Sequence, residues 1–166
     1  MSDKITPTGF SWTWNKRYMR QAEEQASYSK DPKHKVGAVI IAQSKESVAA
    51  SYNAFPRNAR VKNHMYHDVE FKRKNIVHAE TNALMNALRN NTVVTDTTVF
   101  VTLPVCPTCA GLLKQAGVKT VVYKKPADDY YERHPVDDIR EMGLFLNLKI
   151  FEMEVTKIMS SLRAIS

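Results

Sequence analysis

The sequence lacks any apolar run that reaches the ~18 residues needed to cross a membrane. Residues 1–14 also lack the apolar core of a secretory signal peptide. There is no internal repeat, low-complexity stretch or linker-like segment in the 166 residues, and the 43% hydrophobic and 25% charged content is ordinary for a globular protein. We therefore expect one domain over 1–166, with a loose leader at 1–10, a tail at 156–166 and no membrane partner.

Cysteine is scarce, with only Cys106 and Cys109 present. The two are three positions apart, which makes them a poor disulfide pair. The absence of a signal peptide predicts a cytoplasmic location, and in such a reducing compartment a close pair of cysteines indicates metal binding or redox chemistry. His78 supplies a third metal ligand, and the carboxylate of Glu80 remains as a candidate base. Three protein ligands, an open fourth position and a base are the components of a hydrolytic zinc site.

Other interpretations of these residues remain open. A C-x-x-C pair alone also fits a redox site, and an H-x-E triplet alone arises by chance. A structural zinc would need a fourth ligand, for which His64, His67 and His134 are candidates, and the first two could instead bind a second metal. The three ligands taken together with Glu80 favour one catalytic Zn²⁺.

Basic residues outnumber acidic ones by 24 to 17, giving a net charge of +7. This balance favours an anionic partner, either nucleic acid or a nucleotide phosphate, although a solvated basic surface gives the same count. If the substrate carries a phosphate, basic residues on loops near the zinc ligands are candidates to bind it: Lys33, Lys35, Arg57, Arg60 and Lys62.

The hydrophobic pattern predicts an α/β chain. Strands are predicted at 36–42, 48–54, 97–103, 118–123 and 148–155, and helices at 13–26, 77–89, 107–115 and 136–144. The first two strands predict a hairpin, and the strand–helix–strand unit over 97–123 predicts a parallel pair with a right-handed crossover. Segments 55–75 and 124–135 are predicted to be long polar loops, and the tail to Ser166 a short helix.

The predicted helix starts bring the zinc ligands together. Cys106 and Cys109 lie in the first turn of one helix, where i, i+3 spacing points both sulfurs the same way. The exposed N–H groups and the helix dipole there stabilise thiolates, the form that binds zinc. His78 lies at the start of another helix. In α/β folds such helix starts meet at one edge of the sheet, where sites are usually found.

Several longer motifs resemble the zinc-dependent deaminase superfamily, and within it the deoxycytidylate deaminases. The resemblance covers about 29–123. Ser29–Val39 is similar to the family's S-x-D-P-x-x-x-V-G-A strand, and Tyr52–Arg57 is similar to its Y-N-G-F/M-P loop. His78–Leu84 is similar to its H-A-E-x-N-A-I helix. Thr102–Ala110 with Gly117–Lys119 is similar to its T-x-x-P-C-x-x-C-A…G-I-K unit.

The resemblance implies a three-layer α/β/α sandwich with a five-stranded mixed sheet, of the cytidine deaminase type. It implies hydrolysis of dCMP to dUMP and ammonia, which supplies dUMP for thymidylate synthesis. Glu80 would move the protons, and the implied substrate contacts are Asn53, the Ala79 backbone, Arg57 and Tyr130. It also implies a homo-oligomer, such as a hexamer, in a bacterial or phage-infected host cytoplasm.

Effector binding is a further implication of the resemblance. Regulated members respond to dCTP and dTTP with Mg²⁺, and the matching effector or interface positions here are Lys35, Tyr52, Phe55 and Arg89. Ser51, Ala54 and Asn58 stand where family members often have glycine. A side chain at such a position blocks close backbone approach, which argues against the effector contact.

Alternatives to this interpretation also remain. The rival activities are deamination of tRNA adenosine or of another nucleotide such as dCTP, and the rival class is a noncatalytic zinc-stabilised binding domain. Glu80 argues against the binding domain, and the absence of a long basic C-terminal helix makes a nucleic-acid partner the less favoured interpretation. Single residues have plainer interpretations too: a turn residue for Asn53, a helix-end cation for Arg89, and loop anchors for Tyr130 and Tyr131.

Overall fold

The computed structural model describes residues 4–155 and 160–166. Its helices are α1 (Trp12–Ser27), α2 (Val69–Asn75), α3 (Ala79–Arg89), α4 (Pro107–Gln115), α5 (Asp128–Arg133) and α6 (Val136–Leu146), with a 3₁₀ turn at Asn63–Tyr66. Its strands are β1 (Gly37–Ile41), β2 (Ser47–Tyr52), β3 (Thr98–Val101), β4 (Thr120–Lys124), β5 (Lys149–Val155) and β6 (Ser160–Ala164).

The strands form one mixed sheet in the order β2-β1-β3-β4-β5-β6. β1 is antiparallel to both β2 and β3, whereas β3, β4 and β5 run parallel. The predicted hairpin and the parallel strand–helix–strand unit are therefore confirmed.

The described strands number six instead of the expected five. β6 pairs antiparallel with β5, in a tail that was predicted to be helical. That prediction is wrong for Ser160–Ala164, because β5 would otherwise present an unpaired edge that an apolar tail can cover. The part of the predicted helix at 156–159 lies outside the described residues.

Helices cover both faces of the sheet, as the three-layer expectation requires. α1 packs on one face, where Tyr18, Met19 and Ala22 are buried against Phe100 and neighbouring strand residues. α3, α4 and α6 cover the other face. Gly37 lets α1 approach β1 closely, since a Cβ at this position would lie 2.0 Å from the Ala22 carbonyl oxygen.

Both segments predicted to be polar loops contain helices, so those predictions are wrong in part. Within 55–75, Asp68 caps α2 by accepting a hydrogen bond from the Phe71 N–H. Phe55 packs against Tyr66 and Phe71, which gives the segment a small apolar contact of its own. Within 124–135, α5 is short and polar, and such a helix has little hydrophobic periodicity to reveal it.

The leader expected to be loose is tied to the fold at its end. Phe10 is fully buried and packs against Tyr18 and Phe100. None of the helices in the described ranges is long and apolar enough to span a membrane.

Candidate zinc centre

His78 and Cys106 each occupy the N-cap of a helix. Cys106 caps α4, and its Sγ accepts a hydrogen bond from the Cys109 N–H at 3.4 Å. His78 caps α3 through its backbone alone, since its ring makes no capping hydrogen bond. The ring is therefore available to face the cysteines, and its Nδ1 lies 3.5 Å from each of the two sulfurs.

These distances fit a zinc ion. With Zn–S of about 2.3 Å and Zn–N of about 2.0 Å, a tetrahedral ion holds its nitrogen and sulfur ligands about 3.5 Å apart. The ligand atoms of His78, Cys106 and Cys109 all lie within 4.8 Å of one another. Within 4–155 and 160–166 no further histidine, cysteine or carboxylate joins this group. Three ligands leave a coordination position open, as in catalytic zinc sites.

One of the two sulfurs, that of Cys106, is electrostatically prepared for a cation. A hydrogen bond from the Cys109 thiol, together with the nearby His78 ring, lowers the pKa of Cys106 to about 4. The same pairing, with burial, raises the pKa of Cys109, and the hydrogen bond with Cys106 raises the pKa of His78. The Thr81 hydroxyl lies 3.3 Å from the Cys109 sulfur and offers it one more hydrogen bond. A metal ion would displace the proton that the sulfurs share.

Glu80 lies in the first turn of α3 and is 4% exposed. Burial raises its pKa to about 7, against an opposing effect of the His78 charge. A carboxyl group with a pKa near neutrality can both accept and release a proton at working pH.

Two of the three ligands, His78 and Cys106, open onto a cavity of about 670 Å³, within the range of small-molecule sites. His78, Glu80 and Cys106 form part of its wall. Its other walls come from the 31–36 segment, α2, the 103–107 turn, and α5 with the start of α6. Three basic side chains line it, namely Lys72, Arg73 and Arg133.

Three of the predicted substrate contacts line this cavity: Asn53, Ala79 and Tyr130. The Asn53 side chain is already engaged, since its Oδ1 accepts from the Val36 N–H at 2.8 Å and its Nδ2 donates to the His34 carbonyl at 2.7 Å. It therefore fixes the 34–36 segment of the cavity wall. Tyr130 packs against the ring of His134 with centroids 4.7 Å apart, and His134 also lines the cavity without joining the zinc ligands.

Arg57 is not among the lining residues of the zinc cavity. It lines a second depression of about 320 Å³, together with Arg89, Asn86 and Asn90. There its Nη2 donates to Asn86 Oδ1 at 3.2 Å. The other predicted effector or interface residues also lie outside the zinc cavity: Lys35 is exposed, Tyr52 is half-buried and Phe55 is buried.

The cavity's basic residues differ from those expected. The described residues that line the cavity include none of the five phosphate candidates predicted from the sequence, which are Lys33, Lys35, Arg57, Arg60 and Lys62. The sequence interpretation missed Lys72, Arg73 and Arg133, because α2 and α5 were predicted to be loops. The sequence signal that could have predicted α2 is Asp68, a favourable N-cap residue at the start of a polar stretch. His64 and His67 are both exposed and stay apart from the ligand group.

An α/β/α sandwich with a His–Cys–Cys centre and a buried glutamate beside it defines the zinc-dependent deaminase class. The comparisons with known proteins agree at the level of the family. Residues 12–125 match the model of the cytidine and deoxycytidylate deaminase zinc-binding region. The chain belongs to this family.

Curated relatives with this region include deoxycytidylate deaminases. The human enzyme is 31% identical over 140 residues, covering 81% of this chain and 75% of its own length. The enzyme of phage T4 is 36% identical over 107 residues, covering 64% of this chain, and a probable deoxycytidylate deaminase of Drosophila melanogaster is 34% identical over 120 residues, covering 66%. The chain spans 53% and 58% of the length of these last two relatives.

A solved structure shares the fold. The dCMP deaminase of cyanophage S-TIM5, in complex with dCMP and dUMP, superposes with a TM-score of 0.71 at 23% identity. The match covers 87% of this chain and 99% of that one.

Proposed function

We propose that the protein hydrolyses the 4-amino group of dCMP, giving dUMP and ammonia. The observation that carries the proposal is that His78 and Cys106 of the three-ligand centre, together with buried Glu80, line one cavity of about 670 Å³. The family match and the names of the relatives, which are deoxycytidylate deaminases, support this choice of substrate.

In this proposal, His78, Cys106 and Cys109 hold one Zn²⁺, which when bound supplies Lewis-acid activation of a water molecule. Glu80 accepts a proton from the attacking water and passes it to N3 of the pyrimidine. After the water oxygen has bonded to C4, the same carboxyl group takes the second proton from that oxygen and delivers it to the amine, so that the C4–N bond breaks and ammonia leaves. Its buried position beside the proposed zinc ligands suits a group that must accept and donate a proton in one cycle.

The surrounding wall would orient the nucleotide. The backbone at Ala79 is placed to contact the pyrimidine, and Tyr130 offers an aromatic surface to the base or sugar. Asn53 acts on the substrate through the 34–36 segment that it holds, or directly if the nucleotide displaces one of its two backbone hydrogen bonds.

Arg73 and Arg133 are the proposed phosphate ligands. The ammonium of Lys72 is paired with Asp31, so it adds little net charge to the cavity. Among the described side chains, Arg133 pairs with the exposed Asp129, at 3.7 Å, and no carboxylate lies within ion-pair distance of Arg73. Two guanidinium groups at the rim would recognise a phosphate through charge-assisted hydrogen bonds.

Three wider properties belong to the same proposal. The depression lined by Arg57 and Arg89 is the proposed place for an anionic effector (dCTP or dTTP with Mg²⁺) or for a subunit contact of a homo-oligomer such as a hexamer. Free cysteines as zinc ligands suit a reducing compartment, so we place the protein in the cytoplasm of a bacterium or of a phage-infected host.

The test is ammonia release by purified protein whose zinc content has been measured. Substrates are dCMP, dCTP, deoxycytidine and a tRNA anticodon stem-loop, and the dCMP reaction is repeated with added dCTP or dTTP and Mg²⁺. We expect turnover of dCMP. Activity on the stem-loop alone would replace the proposal with tRNA editing. Zinc-loaded, folded protein that is inactive on every substrate would indicate a noncatalytic zinc domain.

A further inference from the structure

A polar cluster of two buried residues and one half-buried residue lies apart from the zinc ligands and from the residues that line the cavity. It consists of Tyr123 at the end of β4, Glu152 on β5 and Tyr131 on α5. The Tyr131 hydroxyl donates to Glu152 Oε2, the Tyr123 hydroxyl lies 3.2 Å from the same oxygen, and the two hydroxyls are 3.0 Å apart. Tyr123 is fully buried and Glu152 is 6% exposed. We call these three residues the α5 anchor.

The hydroxyl groups and the carboxylate of the cluster hydrogen-bond to one another, so the cluster needs no partner from the substrate. Burial raises the pKa of both phenols, and proximity to Glu152 raises them further, so both hydroxyls stay protonated as donors. Glu152 Oε2 is the acceptor in both of its contacts with the phenols. Two hydroxyl protons therefore serve the three close contacts, with Tyr131 donating to Glu152. A buried carboxylate that lost such a donor would be left partly unsatisfied, which is costly.

The rest of α5 is weakly attached. The helix has six residues, and within the described part of the chain it makes few contacts with other helices and strands. Its Arg133–Asp129 ion pair is internal to the helix and exposed. Isolated helices of this length are unstable in water, so α5 depends on contacts to the sheet.

α5 nevertheless carries one wall of the cavity. Tyr130 and Arg133 line it from the helix itself, and His134 lines it from the residue that follows. Tyr131 lies between these residues in sequence but points to the sheet, where it packs on the core and reaches Glu152. The same short helix therefore presents its lining residues to the cavity and its anchoring residue to the sheet.

We propose that the α5 anchor positions the Tyr130–His134 wall for nucleotide binding, with Tyr131 as the positioning residue. The Tyr131 hydroxyl fixes α5 to Glu152 on the sheet. Without it, α5 separates from the sheet more often, and Tyr130 and Arg133 are in place for a smaller fraction of the time. The loss therefore falls on substrate binding and spares the chemical step at Glu80. The kinetic part of this inference rests on the proposed dCMP deamination.

Tyr131→Phe tests the inference, because it removes one hydroxyl and keeps the ring. Tyr28→Phe is the matched control: the Tyr28 hydroxyl also donates to a glutamate, Glu24, at 2.8 Å, but on an exposed surface at the end of α1. Both zinc-loaded variants are compared with wild type by amide hydrogen exchange over 127–135 and by dCMP kinetics.

We expect Tyr131→Phe to raise the exchange rate of 127–135 by about tenfold, the scale of one lost hydrogen bond to a charged group. KM for dCMP should rise several-fold with kcat nearly unchanged, which is the pattern of lost uniform binding. Tyr28→Phe should change neither quantity. Glu152→Gln, which keeps one acceptor oxygen, should give a smaller increase in exchange.

Unchanged exchange in Tyr131→Phe would overturn the anchor. Raised exchange with an unchanged KM, or a loss that falls on kcat alone, would overturn its positioning role. Wild-type protein that binds zinc but leaves dCMP intact would refute the proposed function, and the exchange comparison would still decide whether the anchor holds α5.

Discussion

The ammonium of Lys72 lies 2.9 Å from Oδ1 of Asp31, and the two side chains are 8% and 2% exposed. The same oxygen accepts hydrogen bonds from the backbone N–H groups of Lys33 and His34. This ion pair joins α2 to the 31–36 segment, and both partners line the zinc cavity. The pair therefore connects two walls of the site that are far apart in sequence.

Lys72→Met should destabilise the fold strongly. Removing one partner of a buried ion pair leaves an uncompensated charge and costs roughly 3–5 kcal/mol. Lys74→Met is the control, because Lys74 forms an exposed pair with Glu70 that is worth at most about 1 kcal/mol. Urea unfolding measures both variants. Equal losses in the two would show that the Asp31–Lys72 pair is not buried in solution.

The same carboxylate predicts how stability depends on pH. Burial alone would raise the pKa of Asp31, but the Lys33 and His34 N–H groups and the Lys72 ammonium hold it below its usual range. Since the folded pKa is the lower one, its contribution to stability is present above the unfolded pKa and is lost as pH falls through the folded pKa.

The advantage of wild type over Asp31→Asn should therefore be complete above about pH 5 and should shrink as pH falls below about 3.9, the unfolded value. Urea unfolding of both proteins at a series of pH values measures it. An advantage that stayed constant down to pH values where wild type begins to unfold would contradict the assignment.

The clustering of the three candidate zinc ligands could be predicted from the sequence because the motifs that carry them are local. Cys106 and Cys109 are spaced by one helical turn, and His78 and Glu80 lie within one short motif, so only the meeting of two helix starts had to be inferred. β6 illustrates the opposite case. A short apolar stretch fits a helix or a strand equally well, and the open edge of β5, which decides between them, is a tertiary feature.

The walls of the cavity were less predictable for a related reason. Arg73 and Arg133 lie on short polar helices without a broad apolar face, so periodicity gave no indication of these helices.

The position of Asn53 shows a different limit of the sequence motif. Its motif predicts a substrate contact, whereas its observed hydrogen bonds hold the 34–36 backbone, and only the fold brings those groups within reach.

Glu80→Gln should retain zinc and lose activity. The amide keeps the shape of the side chain but cannot accept the proton of the attacking water, and loss of a general base typically costs about 10²- to 10⁴-fold. Zinc content by mass spectrometry and kcat for dCMP are the two measurements. Glu70→Gln, at an exposed position on α2, is the matched control. Near-normal kcat in Glu80→Gln would remove Glu80 from the proton transfer.

Thr81→Val should weaken zinc binding without preventing it. The Thr81 hydroxyl lies 3.3 Å from the Cys109 sulfur, and partners of metal ligands typically contribute about 10- to 100-fold in affinity. Thr81→Ser keeps the hydroxyl and should stay near wild type, whereas Cys109→Ala should abolish stoichiometric binding. Competition with a chromogenic chelator ranks the three variants. Full zinc occupancy in Cys109→Ala would refute the ligand set.

Arg73→Ala and Arg57→Ala separate the two possible locations of the phosphate. Arg73 lines the zinc cavity, whereas Arg57 lines the second depression and donates to Asn86. If the dCMP phosphate lies at the cavity rim, Arg73→Ala should raise KM by about tenfold or more through loss of a charge-assisted contact, and Arg57→Ala should change it little. Deoxycytidine, which lacks the phosphate, should respond weakly to both variants. A larger effect of Arg57→Ala on KM for dCMP would restore the sequence-based assignment and would mean that the nucleotide extends toward β2 and away from α2.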